Sequence, residues 1–197
     1  RFPLWNPYIF SGTPFFADIN LSVLHPLNLL YLVLPPFRAL TYGILLLFLL
    51  GSIGMYALGR SIRLSTFASI VGAIVFGFSG SLVVYANNIP ILQVAVLVPW
   101  VLALWIRYVN GPSGKRLVLF VLVAAFQVFS GHVQITYYTW LLLVVFFFLK
   151  KPSFQRAKLG FQAALLVALV SAVQVIPFLE FALHSTRVGK DFAFATI

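Results

Sequence analysis

Four long apolar runs constrain this chain more than any other feature of its sequence. They occupy positions 39–59, 64–86, 90–109 and 159–183. A helix of about 20 residues crosses a hydrocarbon layer of roughly 30 Å. The chain is 62% apolar and 8% charged, whereas a soluble domain carries about 25% charged residues. The sequence therefore predicts an all-α transmembrane protein and excludes a disordered or water-soluble chain.

A fifth apolar run, 117–149, is too long for a single crossing. A polar interruption near its middle predicts two shorter helices, 117–130 and 133–149. Lys and Arg collect in cytoplasmic loops, and here they follow the first span and recur at 107–116 and 150–158. Only a chain with about six membrane-spanning helices places these basic loops on one side. This arrangement also accounts for the net charge of +10 without a nucleic-acid partner.

The predicted topology divides the chain into three parts. Residues 1–38 form an extracytoplasmic loop with interfacial helices, residues 39–186 form the transmembrane bundle, and residues 187–197 begin a further extracytoplasmic segment. The chain opens at Arg1 without the layout of a signal peptide. We therefore expect a piece of a longer membrane protein, with both ends of the fragment outside the cytoplasm.

Polar side chains gather on the predicted outer face, where they supply candidates for a functional site. Each candidate has a structural alternative. Asp18 is a general base or a helix N-cap, and His132 binds a phosphate oxygen, relays a proton or caps a helix. The candidate catalytic residues are Asp18, His132 and Glu180. The candidate substrate-binding residues are Trp5, Asn6, Tyr8, Asn20, His25, Asn87, Asn88, Gln134 and Gln174.

Other chemistries lack the residues that they need. The chain has no cysteine, which excludes disulfides and thiol catalysis. No pair of histidines has the spacing of metal ligands on a helix, and no Ser-His-Asp arrangement is present. We predict no cofactor and no metal site, and the need for a divalent metal stays open. Small residues at a spacing of four on the second and last spans indicate close helix packing.

Three parts of the sequence resemble the bacterial YfhO-type membrane proteins. They are PLWNPYIFSGTPFFADIN (Pro3–Asn20) followed by HPLNLLYLVLPP (His25–Pro36), SGHVQITYYTW (Ser130–Trp140) and QVIPFLE (Gln174–Glu180). The resemblance implies a GT-C-type fold in the bacterial cytoplasmic membrane. It also implies a glycosyltransferase that takes a sugar from a polyprenyl-phosphate lipid on the outer face. The acceptor would be a cell-envelope glycan, a lipid or a protein.

Glycosyl transfer needs a carboxylate to take the proton of the acceptor and donors to hold the phosphate leaving group. Asp18 lies in the right loop for the carboxylate, although in such folds the catalytic acid often follows a span that would here precede Arg1. The candidates for the phosphate are Arg1, His132, Arg187 and Lys190. Two alternatives stay open. One is a transporter or flippase of a lipid-linked glycan, and the other is a non-catalytic membrane assembly subunit.

Overall fold

A computed structural model of the protein describes residues 4–8, 12–149 and 153–184. These residues form an all-α structure. The α-helices are α1 (Leu30–Val33), α2 (Pro36–Ser61), α3 (Thr66–Gly77), α4 (Gly80–Tyr85), α5 (Ile89–Asn110), α6 (Gly114–Phe129), α7 (Val133–Leu149) and α8 (Phe154–Leu183). Four helical segments are long and apolar enough to cross a membrane, namely Pro36–Ser61, Thr66–Tyr85, Ile89–Asn110 and Phe154–Leu183. Many of their apolar side chains are exposed, as contact with lipid requires.

The part of the chain before α2, which we call the N-terminal segment, is irregular and contains only short strands and helices. Its elements are the strands β1 (Trp5–Asn6) and β2 (Thr13–Pro14) and two 3-10 helices (Ile19–Leu21 and Pro26–Leu29). The strands pair antiparallel, with Trp5 opposite Pro14. Prolines at 26 and 36 occupy the first helical positions of their elements, where the missing N–H costs nothing. The last predicted segment, 187–197, lies outside the described residues.

Helix α5 is the centre of the bundle. In its most apolar stretch 67% of the residues are buried, against 28% or less in the other three long segments. One side of α5 packs with α6, α7 and α8 around Trp105 and Phe120, whose ring centroids are 5.4 Å apart. Its other side packs with α2 and α4 around Leu47, Leu82 and Val96. Helix α5 therefore has little surface left for contact with lipid, and its side chains pack closely against the neighbouring helices instead.

Helix α2 presents a face of small residues to α3 and α5. Its buried positions are Ala39, Gly43, Leu47, Gly51, Gly54, Ala57 and Gly59. A Cβ atom on Gly54 would lie 2.5 Å from the ring of Trp100, and one on Gly59 would lie 2.8 Å from Ser69 Oγ. Trp100 Nε1 donates to the Leu50 carbonyl at 2.8 Å. The glycines therefore allow the helix backbones to approach closely, as small residues do between membrane helices.

The break that the sequence predicts within 117–149 is present, because α6 ends at Phe129 and α7 begins at Val133. The predicted run 64–86 is also divided, which the sequence analysis did not anticipate. Helix α3 ends at Gly77, and Ser79 then caps α4 by accepting a hydrogen bond from the Leu82 N–H at 3.4 Å. Ser79 favours a helix N-cap over a helix interior, so a new helix starts there.

Contacts between distant elements define two ends of the bundle. One end, which we call the basic end, holds the C-terminal ends of α2, α5 and α7 and the N-terminal ends of α3, α6 and α8. There Arg107 reaches from α5 to the Ala57 carbonyl of α2 at 3.5 Å. Arg116 of α6 donates to the Gly111 carbonyl at 2.6 Å. The opposite end, which we call the polar end, holds the N-terminal segment, the α4–α5 and α6–α7 turns and the C-terminal part of α8. The candidate site residues lie at the polar end.

Candidate functional site

The N-terminal segment docks onto the α6–α7 turn at the polar end. The buried Ser22 Oγ donates to the Ser130 carbonyl at 2.7 Å, joining residues 108 positions apart. Gly131 follows with a φ of 91°, a backbone conformation that favours glycine. A Cβ atom on Gly131 would collide with the Ile19 carbonyl and would lie 2.6 Å from Ser22 Oγ. The turn therefore needs glycine both for its backbone and for the contact with the segment.

Helix α8 makes a second contact with the same segment. Gln174 is buried, and its Nε2 donates to the Phe16 carbonyl at 2.7 Å across 158 positions. Its Oε1 is buried without a hydrogen-bond partner among the described residues. Gln93 and Gln127 bury unpartnered amide oxygens in the same way. Such acceptors are costly when buried, so they mark places where a donor would be stabilised.

Gln93 lines a cavity of about 30 Å³ between the N-terminal segment, α2 and α5. Asn28 and Tyr31 of the segment line it too. A volume of that size holds about one water molecule. The cavity can therefore place one hydroxyl or water against the Gln93 oxygen, and it is too small for a sugar ring.

His25 organises the segment from inside. It is 3% exposed, and its Nδ1 accepts a hydrogen bond from the Leu27 N–H at 3.3 Å. Next to it, Asn28 Nδ2 donates to the Ser22 carbonyl at 2.7 Å. Burial lowers the pKa of His25 from 6.5 to about 4, so the ring is neutral at neutral pH. A substrate-binding role for His25 stays a prediction.

Asp18 caps the first 3-10 helix. Its Oδ1 accepts hydrogen bonds from the Asn20 N–H at 3.0 Å and from Asn20 Nδ2 at 3.1 Å. The side chain is half-exposed, and its other oxygen has no partner in the part of the chain that the structure describes. The structure thus contains the N-cap that the sequence offered as one alternative. The role of general base stays a prediction, and one oxygen is available for it.

His132 caps α7 in a similar way. Its Nδ1 accepts a hydrogen bond from the Ile135 N–H at 3.4 Å, and its carbonyl accepts from Thr136 Oγ1 at 3.1 Å. In the neutral ring the proton is then on Nε2, which can donate to a ligand. Gln134 is exposed one residue into α7, where its Nε2 donates to Tyr138 Oη at 2.8 Å.

The remaining candidates lie on the surface of the polar end. Tyr8 is 94% exposed and Trp5 is 58% exposed, and Asn6 Oδ1 accepts from the Tyr8 N–H at 3.0 Å. Asn87 and Asn88 are exposed in the turn before α5. Glu180 is exposed near the end of α8, and a catalytic role for it stays a prediction.

The contacts between distant segments at the polar end are made to backbone carbonyls, and they do not join the candidate catalytic side chains. No hydrogen bond or ion pair joins Asp18, His132 and Glu180 to one another within residues 4–8, 12–149 and 153–184. Of the predicted phosphate ligands other than His132, all three (Arg1, Arg187 and Lys190) lie outside these residues.

Three further residues at the polar end were not among the predicted candidates. Ser22 and Gln127 are buried and hydrogen-bonded between elements, and Arg38 is the single Lys or Arg at the polar end in the described part of the chain. Two of them could have been found from the sequence. Gln127 is an amide within an apolar helix, and Arg38 is a cation on the side of the membrane where the topology predicts few cations.

The described residues contain no group of three His, Asp or Glu side chains that could hold a metal ion. The polar end instead contains hydrogen bonds between the docked N-terminal segment and the helices. Comparison of the chain with known proteins finds no matching family model, no matching curated protein and no matching solved structure.

Proposed function

We propose that the polar end carries the site of a membrane-embedded glycosyltransferase module that uses a polyprenyl-phosphate-linked sugar. One observation supports this function. The first part of the sequence that resembles the YfhO-type proteins contacts the other two. Gln174 bonds to Phe16, and Gly131 lies against Ile19, next to the bond from Ser22, in the link between the two N-terminal pieces, to Ser130. The docked surface thus combines residues of all three parts, and each part supplies a polar candidate, namely Asp18, His132 and Gln174.

In this proposal the chain makes six passes through the bundle, and the polar end faces away from the cytoplasm. The passes are α2, α3 with α4, α5, α6, α7 and α8. The basic end carries the loops that the positive-inside rule assigns to the cytoplasm. Helices α6 and α7 are 16 and 17 residues long. Their turn would therefore lie below the outer membrane surface, where docked protein satisfies its backbone.

The proposed reaction transfers the sugar to a hydroxyl of the acceptor. The acceptor oxygen forms a bond to the anomeric carbon, and the bond from that carbon to the phosphate oxygen breaks. Asp18 takes the acceptor proton through the oxygen that does not cap the helix. The Nε2–H of His132 and the guanidinium of Arg38 hold the phosphate of the leaving polyprenyl phosphate.

The exposed polar groups of this end bind the sugar in the same proposal. Trp5 and Tyr8 supply rings on which a sugar can stack, and Asn87, Asn88 and Gln134 supply amides for its hydroxyls. The bundle itself stays in contact with the membrane, and the apolar helix surfaces accommodate the isoprenoid tail.

The caps allow substitutions that separate chemistry from folding. Asp18→Asn keeps a side-chain oxygen for the cap but cannot accept a proton, and His132→Asn keeps a cap without the Nε2–H donor. In membranes containing the protein and a radiolabelled polyprenyl-phosphate hexose, we expect both variants to lose sugar transfer while their amounts in the membrane stay normal. Lys158→Gln, which removes a charge from an exposed position at the basic end, is the control. Wild-type transfer in both variants would contradict the assignment.

A further inference from the structure

Three cavities adjoin one another at the basic end, away from the proposed site. The first, of about 260 Å³, is an apolar groove that includes Trp105 and Trp140 among its lining residues, with Arg156 on its wall. A small second cavity shares Trp105 and Arg156 with the groove. The third, of about 450 Å³, is a recess that shares Asn110 with the second cavity and also contains Arg63. The second cavity, of about 20 Å³, thus lies between the apolar groove and the polar recess.

The groove is accessible from the surface of the bundle. Phe161 and Ala164 of α8 line it, and both are exposed. Gly160 lies on the same wall. A Cβ atom added to it would be 3.5 Å from the ring of Trp105, so the absence of a side chain leaves space in the groove at this point. Since α8 is long and apolar enough to cross a membrane, an apolar chain from surrounding lipid can enter the groove sideways.

The recess is on a strongly cationic surface. The described residues of the basic end include no acid, because Asp18 and Glu180 both lie at the polar end. The described cations of the basic end are Arg60, Arg63, Arg107, Lys115, Arg116, Arg156 and Lys158. An anionic group is therefore the complementary partner for this surface.

Arg63 is placed in the recess by an unusual backbone. Its φ is 67°, in the left-handed region that glycine adopts without strain, just after the end of α2. The backbone at this position thus favours glycine, and the arginine side chain contributes a positive charge to the recess at the expense of some strain.

We propose that the groove and the recess bind one anionic phospholipid. An acyl chain occupies the apolar groove, and the phosphate headgroup lies in the recess beside Arg63, with Arg156 at the boundary between the two. A free phosphate would leave the groove unused, and a neutral lipid would leave the cationic recess unmatched. This site is separate from the proposed sugar site and does not depend on it.

Tryptophan fluorescence provides a test, because Trp105 and Trp140 line the groove. The exposed Trp5 at the polar end is first replaced by phenylalanine, so that it does not contribute to the signal. The purified protein is placed in phosphatidylcholine nanodiscs with increasing fractions of phosphatidylglycerol whose acyl chains are dibrominated and quench tryptophan. We expect quenching to saturate at a much lower lipid fraction than with dibrominated phosphatidylcholine. Equal quenching by the two lipids would overturn the proposal. So would complete reversal of the quenching by soluble glycerol phosphate at the concentration of the lipid, because the acyl chain in the groove would then contribute nothing.

Single substitutions distinguish a specific lipid site from nonspecific electrostatic attraction of anionic lipid to the basic end. We expect Arg63→Gln and Arg156→Gln each to weaken the binding of phosphatidylglycerol about fivefold. Arg63→Gly should weaken binding equally, although it suits the backbone and leaves thermal stability intact or raised. Lys158→Gln removes the same charge from an exposed position that lines none of the three cavities, so it should have no effect. Equal losses in Lys158→Gln and Arg63→Gln, or normal binding in Arg63→Gly, would overturn the proposal.

Discussion

Replacement of Gly131 by alanine tests the docking of the N-terminal segment on the α6–α7 turn. The added methyl group would collide with the Ile19 carbonyl and approach Ser22 Oγ to 2.6 Å. Neither partner can move freely, since one is backbone and the other is bonded to the Ser130 carbonyl. We expect the segment to move away from the turn while the helices stay packed.

The magnitude follows from two contributions. A residue with a Cβ in a left-handed conformation costs about 1–2 kcal/mol. Loss of the bond from Ser22 leaves the buried Ser130 carbonyl unpaired, which costs about 1–3 kcal/mol. Together they weaken docking by roughly 2–5 kcal/mol, which is at least about a 30-fold change in the equilibrium between docked and undocked segment.

Hydrogen exchange reports this equilibrium, because Ser22 and His25 are buried in the docked segment and become accessible to solvent when it leaves. The amides of Ser22, His25 and Asn28 are bonded within the segment, and we expect them to exchange at least about 30-fold faster in Gly131→Ala. Gly80→Ala is the matched control, because an added Cβ there meets no atom within 4 Å. It should leave exchange unchanged.

Unchanged exchange of these amides in Gly131→Ala would refute the docking argument. Equal acceleration throughout α5 would also refute it, because the change would then be global unfolding rather than release of one segment.

Two further predictions concern pH and helix packing. The pKa of His25 is lowered from 6.5 to about 4 in the folded protein, so its contribution to stability is present above pH 6.5 and is lost as the pH falls from 6.5 to about 4. The loss is roughly 3 kcal/mol at most, and hydrogen exchange of the segment across this pH range should show it in the wild type but not in His25→Asn, which keeps a capping oxygen. Gly54→Ala places a methyl group 2.5 Å from Trp100 and should destabilise the protein by about 1–3 kcal/mol in thermal unfolding. Gly72→Ala, whose Cβ would lie 3.9 Å from Met55, should be neutral by the same measurement.

Local sequence signals predicted the helices well where they were strong. Composition and run length indicated long apolar helices, and the distribution of Lys and Arg indicated the break between α6 and α7. The division at Ser79 was missed because a single serine in an apolar run is a weak signal until its side chain caps the next helix. The alternative readings of Asp18 and His132 as caps depended only on neighbours in sequence, so they could be formulated in advance.

Contacts between distant residues could not be predicted in this way. The bond between Ser22 and Ser130 depends on two backbones that meet only after the bundle has formed. The burial of the His25 and Gln127 side chains likewise depends on how the helices and the N-terminal segment pack together. The cavities at the basic end combine residues of α2, α5, α7 and α8, and no linear pattern relates Arg63 to Arg156.

The opposition of the polar end and the basic end across a membrane can be measured most directly by cysteine labelling. The chain has no cysteine, so Gln134→Cys and Lys158→Cys each introduce a single exposed thiol at one end. Intact bacterial cells expressing each variant are treated with a membrane-impermeant maleimide. We predict labelling of the cysteine at 134 in intact cells and of the cysteine at 158 only after permeabilisation. Labelling of both from the same side, or in the reverse order, would contradict the account.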